Sequence, residues 1–305
     1  LCLIWAVWVE WAAWASKLAP CPKRQKRKRR SSDRRFLLLW CVRARAPEEQ
    51  LVIKVLKIIG HVVLVVGLTA ISQLGGLAWL LARLVPKYKF PAFLGVYALL
   101  SVAAIFIAPM TGRVPLSCLP VGELQVHSPF YCALNRHYVA PELKVTLEYA
   151  ARQVRARHPD TVTQVLDAGF PFLNGFPLLP HLSHEDGRKA DIAFYYADEN
   201  GDYLAGKTRS PMGYFAFEEG ETVCPQAFPT LRWDLAFLQG AWPNYRLEKE
   251  RMVTLLSTLT DDDRVGKIFL EPYIVTELGL QNDKLRFQGC RAARHDDHIH
   301  VQLND

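Results

Sequence analysis

The chain has no Cys-x-x-Cys pair, no internal repeat, and no net positive charge outside one short segment. Without a Cys-x-x-Cys pair, none of the seven cysteines reads as half of a thiolate zinc site. Nine basic residues and one acid (Asp33) lie between Lys23 and Arg35, a balance of +8 in a chain whose total is +7. The remainder therefore sums to −1, which excludes a global reading as a nucleic-acid-binding protein. The run itself reads as a disordered juxtamembrane or linker segment, with anionic lipid or nucleic acid as the sharper alternative. The charge order of a signal peptide is missing as well, because the apolar stretch 1–15 precedes the basic run. That stretch carries four tryptophans and Glu10 and is too short for a comfortable membrane span. Residues 1–50 are read as a poorly structured or spurious basic N-terminal extension, and no function rests on them.

What is present begins with two apolar runs. From Ile58 to Leu84 only His61, Gln73 and Arg83 are strongly polar, and Phe90 to Met110 is apolar over a similar length. Each exceeds or matches the ~20 residues needed to cross a bilayer. The spacing predicts a two-helix membrane hairpin over 51–110, with helices at about 58–84 and 90–110. Arg83, Lys87 and Lys89 near the connecting loop argue for a cytoplasmic loop, while Lys54, Lys57 and the Lys23 to Arg35 run argue the reverse; with the N-terminal extension read as spurious, the loop prevails by three charges to two. Four cysteines follow residue 110 (Cys118, Cys132, Cys224, Cys290), an even number that suits two disulfides and an oxidising compartment, with four buried thiols as the alternative. Their pairing is not fixed by the sequence. Together these features predict an extracytoplasmic C-terminal domain anchored in an inner membrane.

That domain, 111–305, is long enough to bury its own core. Pro141 to His158 has Pro in its first turn and Leu143, Leu147, Ala150, Ala151 and Val154 on one face, which predicts an amphipathic helix. Leu247 to Leu259 reads as a second helix. Thr163 to Ala168, Ala190 to Tyr196, Arg264 to Pro272 and His298 to Leu303 read as strands. The mixed order predicts an α+β fold: a small, mostly antiparallel sheet with flanking helices.

Two clusters carry chemistry. The last strand ends in His295-Asp296-Asp297-His298-Ile299-His300-Val301, with three of the nine histidines inside six positions. Strand alternation puts His298 and His300 on one face and Ile299 and Val301 on the other. Upstream lies His181-Leu182-Ser183-His184-Glu185-Asp186-Gly187-Arg188-Lys189-Ala190-Asp191, where Gly187 permits a sharp turn between His184 and Asp191. Two imidazoles and a carboxylate, His184, Asp191 and His300, are the ligand set of a catalytic zinc with an open fourth position. His181 reads as a loop or outer residue, Glu185 and Asp186 as solvated loop acids, and Ser183 as a turn residue without a Gly-x-Ser-x-Gly setting. Asp296 and Asp297 are either orienting partners of imidazoles or plain turn residues. Asp234 beside Trp233 is either a cleft residue or a helix start. His127, His137 and His158 read as structural or exposed, and Tyr195, Tyr196 and Trp242 as core.

A Gly-x-x-Phe segment, Gly175, Ser183-His184-x-x-Gly187-x-x-x-Asp191-Ile192 and His295-x-x-His298-x-His300-Val301 together resemble the penicillin-insensitive murein endopeptidases. These are part of a wider zinc-peptidase group that includes D-alanyl-D-alanine carboxypeptidases, lysostaphin-type enzymes and the hedgehog fold. The strand Arg264 to Ile274 also looks like the one that precedes the family's histidine cluster. The resemblance spans Thr161 to Leu303 and leaves out the membrane segment. It implies that His184, Asp191 and His300 bind Zn2+, that His298 stabilises the transition state beside the metal, and that His295 is the general base. The implied activity is hydrolysis of peptide cross-links in peptidoglycan, with a D-Ala-D-Ala carboxypeptidase-type enzyme or a non-catalytic zinc-containing cell-wall binding module as alternatives. The implied partners are peptidoglycan peptides and, through two helices, a membrane. No nucleic acid is expected, and no oligomeric state is implied.

Overall fold

The computed structural model describes residues 47–179, 181–224, 232–233 and 235–304. The basic run and most of the expected N-terminal extension, like Asp234, lie outside the described residues. The chain forms two compact units, 1–60 and 61–305. The described part of the first is the N-terminal half of a helix, α1 (Pro47–Ser72), which opens with Glu48 and Glu49 in its first turn.

The apolar run expected as one span over 58–84 is broken. Gln73 takes a left-handed backbone, φ 58°, which ends α1, and a separate short helix follows, α2 (Gly75–Ala82). Gln73 is held there by Phe172, whose carbonyl accepts from the amide Nε2 at 2.8 Å and whose N–H donates to Oε1 at 2.9 Å. A side chain that saturates a distant backbone can offset the cost of left-handed geometry, which local periodicity does not reveal. Helix α2 doubles back along the end of α1. A Cβ on Gly75 would sit 2.7 Å from the Leu68 carbonyl and one on Gly76 2.7 Å from that of Val65, so only glycine fits this approach. The next helix, α3 (Lys89–Ile107), runs antiparallel to α2, with the Trp79 and Phe93 rings 5.8 Å apart. A 3-10 turn (Ala108–Thr111) ends at Gly112. Among the described residues, two helices are long and apolar enough to cross a membrane, Glu48–Ser72 and Lys89–Thr111. The bounds of the first thus shift upstream from the sequence expectation.

The rest is mixed α/β. In chain order come β1 (Val114–Pro115), β2 (Leu124–Val126), α4 (Pro129–Ala133), β3 (Tyr138–Val139), α5 (Pro141–Arg157), β4 (Thr163–Val165), β5 (Lys189–Ala193) and β6 (Tyr196–Ala197). Then follow α6 (Ala236–Gln239), β7 (Arg246–Leu247), α7 (Lys249–Asp261), β8 (Val265–Phe269), α8 (Pro272–Glu277), β9 (Leu285–Arg286) and β10 (His298–Leu303). Six strands form one sheet in the order β2-β4-β5-β10-β8-β9. The three central pairings are antiparallel, in line with the mostly antiparallel sheet expected, while both edges, β2 on β4 and β9 on β8, pair in parallel. Parallel pairing needs a crossover, and α5 and α8 lie in the two connections.

One face of the sheet is closed by helices. Leu143, Leu147, Ala150 and Val154 of α5 and Leu255, Leu256 and Leu259 of α7 form one core with Ala190, Ile192, Ile299, Val301 and Leu303. Pro141 at the first helical position and Arg155 and Arg157 in the last turn suit the ends of α5. Glu248 caps α7 by accepting from the Arg251 N–H at 2.8 Å. Two disulfides, Cys118–Cys132 and Cys224–Cys290, use the four cysteines after residue 110.

Candidate metal centre

The opposite face of the same sheet carries the site. Strand β10 lies against β5 with His300 directly across from Asp191 and His298 across from Ala193. Since Ile299 and Val301 enter the helix-covered core, alternation turns His298 and His300 to the other face, where Asp191 meets them. His184 arrives from the loop before β5. Gly187 bends that loop at φ 70°, and a Cβ there would run into the Arg113 guanidinium. Arg113 follows the 3-10 turn after α3 and is buried; it donates to the carbonyls of Asp186 and Glu185 and to Asn174 Oδ1. One guanidinium therefore fixes the turn that carries His184.

Three donor atoms converge. His300 Nδ1 lies 2.8 Å from Asp191 Oδ1, His184 Nε2 lies 3.1 Å from His300 Nδ1, and His184 Nε2 lies 3.2 Å from Asp191 Oδ1. Ligands on a tetrahedral ion with bonds of ~2.0–2.1 Å stand roughly 3.3 Å apart, close to this triangle. Hydrogen bonding points the same way. His184 Nδ1 lies 2.7 Å from the Ala168 carbonyl, a group that only accepts, so the proton is on Nδ1 and Nε2 offers a lone pair. A neutral His184 Nε2 and a carboxylate oxygen 3.2 Å apart are two acceptors face to face, a contact that a cation or an extra proton must relieve. The residues thus fit a metal ion.

A second grouping shares two of these residues and replaces His300 with His181. His181 Nδ1 lies 3.0 Å from Asp167 Oδ2 and 3.3 Å from Asp191 Oδ2. A nitrogen between two carboxylate oxygens needs its proton there and acts as a donor. Cys118, Cys132 and His137 also lie close together, but both sulfurs are consumed by the disulfide.

The surrounding residues fix the ligands. Tyr214 donates to Asp191 Oδ2 at 2.7 Å, which leaves Oδ1 for the triangle, and accepts the Asp167 N–H at 3.1 Å. Asp167 in turn holds Arg136 through two bonds of 2.6 and 2.5 Å, both partners buried. Asp297 Oδ1 holds His298 Nδ1 at 2.5 Å, while Asp297 Oδ2 accepts the Phe215 N–H at 2.5 Å. Asp296 faces away, towards Arg294 and Tyr273, so the two aspartates divide the roles the sequence left open. Asp186 is not a free loop acid: Lys189 pairs with it at 2.5 Å.

Electrostatics sort the imidazoles of the metal-free site. Burial opposes charge on His298, but Asp191 and Asp297 outweigh it and push its pKa up to about 9. For His184, burial is likewise overcome by Asp191, and the shift is upward. Burial lowers His300 to about 4, against the pull of Asp191. His295 is driven well below its ordinary value by burial and by charge on His298 and His300, so it stays neutral. Its ring makes no hydrogen bond among the described residues. Its backbone is pinned by buried Glu271, whose N–H donates to the His295 carbonyl at 3.0 Å, and Glu271 is itself paired with Arg232.

All five residues singled out from the sequence, His184, Asp191, His295, His298 and His300, line one cleft of about 240 Å³, with Leu182, Ser183, Gln288, Ala292 and Ala293 on its walls. Sequence reasoning missed Tyr214, Asp167, Arg136, Arg113 and Glu271. Asp167 left a trace, a lone acid in the apolar run Val165-Leu166-Asp167-Ala168; the others left none. Of the histidines set aside, His137 is buried, and His158 and His127 bond Thr254 and Gln164. Tyr195 and Tyr196 are core, and Trp242 donates to the Phe215 carbonyl. The chain matches no protein-family model and no curated protein, so its site is read from its own residues.

Proposed function

We propose that the protein is a membrane-anchored zinc metallopeptidase that hydrolyses peptide cross-links of peptidoglycan, similar to the penicillin-insensitive murein endopeptidases. The observation that carries this reading is the donor triangle of His184 Nε2, Asp191 Oδ1 and His300 Nδ1, with two further imidazoles on the same cleft. When bound there, zinc supplies an acidified water and polarises the scissile carbonyl. His295, neutral and with no competing hydrogen bond among the described residues, would serve as the group that accepts a proton from the attacking water and returns one to the leaving amine. His298, protonated and braced by Asp297, donates to the oxygen that gains charge. Asp191 stays ionised because the imidazoles of His184, His298 and His181 outweigh its burial and hold it well below the usual carboxylate range, while Tyr214 donates to its outer oxygen.

The anchor reading rests on α1 and α3, whose apolar side chains (Leu56, Val63, Leu99, Phe106) are exposed instead of packed in a core. Arg83, Lys87 and Lys89 lie at the end of α2 and α3 opposite to Gln73 and Arg113, which by the positive-inside rule favours an extracytoplasmic domain. The two disulfides agree with that compartment.

The test is direct. Purified full-length protein should hold about one zinc ion, as a three-ligand catalytic site implies, and should convert cross-linked muropeptides to monomers. His295→Ala should keep its zinc and lose turnover by roughly 10²–10⁴-fold. A zinc-loaded protein that leaves every muropeptide intact overturns the substrate assignment, and undiminished turnover in His295→Ala overturns the base.

A further inference from the structure

Helix α3 does not stand clear of the globular domain. Between Phe90 and Met110 its only polar side chains are Tyr97 and Ser101, and the domain uses both. Tyr97 donates to the Ala133 carbonyl at 2.6 Å, and Asn135 Nδ2 donates to the Tyr97 hydroxyl at 2.9 Å and to Ser101 Oγ at 3.0 Å. Farther along, Ala104 and Ala108 are buried with Leu74 and Tyr138. From Tyr97 to Ile107 is about 15 Å of helix, at 1.5 Å per residue. The domain is therefore fastened along the C-terminal half of an apolar helix.

A helix in lipid cannot carry a charged protein surface beside its middle, because the ions would have to leave water. The flank next to Tyr97 is built accordingly. From Val114 to Asn135, Glu123 is the only Lys, Arg, Asp or Glu. Ser117 to Gly122 is exposed at every position, with Leu119 at 66 % and Val121 at 62 %, and Phe130 on α4 is 44 % exposed. The Cys118–Cys132 disulfide staples the loop that carries Leu119 and Val121 to the helix that carries Phe130. Within the loop, the Leu119 N–H donates to Ser117 Oγ and the Val121 N–H to the Leu119 carbonyl, so two of its amides need no water. Single exposed leucines are ordinary on protein surfaces. An uncharged, cross-linked set continuous with an apolar helix is not.

We propose that Leu119, Val121 and Phe130 form a foot that inserts into the lipid interface beside α3, so that the domain rests on the bilayer in one fixed orientation. This rests on α3 being a membrane helix, and the occupant is the lipid surface itself.

The experiment uses the full-length chain in vesicles of phosphatidylethanolamine and phosphatidylglycerol, with a photo-crosslinking benzoylphenylalanine at one position at a time. Positions 119, 121 and 130 should label lipid as strongly as position 106 on α3, and severalfold above position 200 in the acidic turn Asp198–Asp202. Adding Leu119→Asp and Val121→Asp should cut labelling from position 130 severalfold while zinc content and labelling from 106 hold. If 106 labels lipid and the three foot positions stay at the level of 200, the foot is overturned and the anchor stands. If 106 is also at that level, the anchor falls and the foot with it. Cross-links from the foot to a second copy of the chain also overturn the proposal.

Discussion

Strands β5 and β10 have two faces made by alternate residues, and those faces have opposite characters. Ala190, Ile192, Ile299 and Val301 lie in a dry core beneath α5 and α7, while Asp191, His298 and His300 sit in a cleft of charge and imidazole. Both sets are buried. The difference lies in what compensates burial. The apolar face gains on the order of 25 cal/mol per Å² removed from water, whereas the polar face must find partners for its donors and acceptors, and His300 Nε2 is left without one among the described residues. That need is why the polar face recruits Asp297 from the position just before β10 and Tyr214, Ala168 and His181 from three other segments. Misplacing one core atom costs packing. Misplacing one polar atom leaves an unpaired buried charge.

The comparison can be broken at its strongest point first. His300→Ala should lower zinc affinity more than about 100-fold, beyond the 10–100-fold typical of an outer partner, while circular dichroism stays native. On the other side of the same strand, Ile299→Ala should cost about 2–5 kcal/mol in denaturant unfolding and leave zinc stoichiometry unchanged at saturating metal. If the folded Ile299→Ala protein cannot bind zinc, the two faces are not independent. Tyr214→Phe probes the link between them, because it frees Asp191 Oδ2 and orphans the Asp167 N–H. Calorimetry should show roughly 10–100-fold weaker zinc binding, and unfolding should show a loss of about 1–3 kcal/mol.

The smallest expected effect lies outside the cleft, at Glu218, where burial raises the carboxyl to about 7 against the pull of Arg209. The folded form then binds more protons than the unfolded form above the ordinary glutamate range. Its contribution to stability is therefore complete at low pH and declines as pH rises towards 7, then levels off. Glu218→Gln should flatten that slope by about 1–2 kcal/mol in unfolding measured from pH 5 to pH 8. An unchanged slope would show that the titrating group is elsewhere.

Much of the site was legible beforehand because its chemistry is written in residue types. His184, Asp191 and His300 are rare enough and clustered enough to mark a metal set, and Gly187 marked the turn between the first two. Helices α5 and α7 and strand β10 followed from periodicity, which depends only on neighbours in the chain. The first apolar run shows the limit. Composition favoured one helix from Ile58 to Leu84, but Gln73 breaks it through two hydrogen bonds to Phe172, 99 positions away. Tyr214 shows it too, since an isolated tyrosine carries no mark of the carboxylate it will hold.

The sequence by itself determined which residues alternate along β10, which face of each long helix is apolar, and which side chains have the chemistry to hold a metal, because all three are set by local geometry and residue type. Only the tertiary structure decided that His300 stands across from Asp191, 109 positions apart, that His181 lies between Asp167 and Asp191, and that the domain lies along α3. Strand register and docking are fixed by closing long loops around a shared core, and no local window of the chain contains that information.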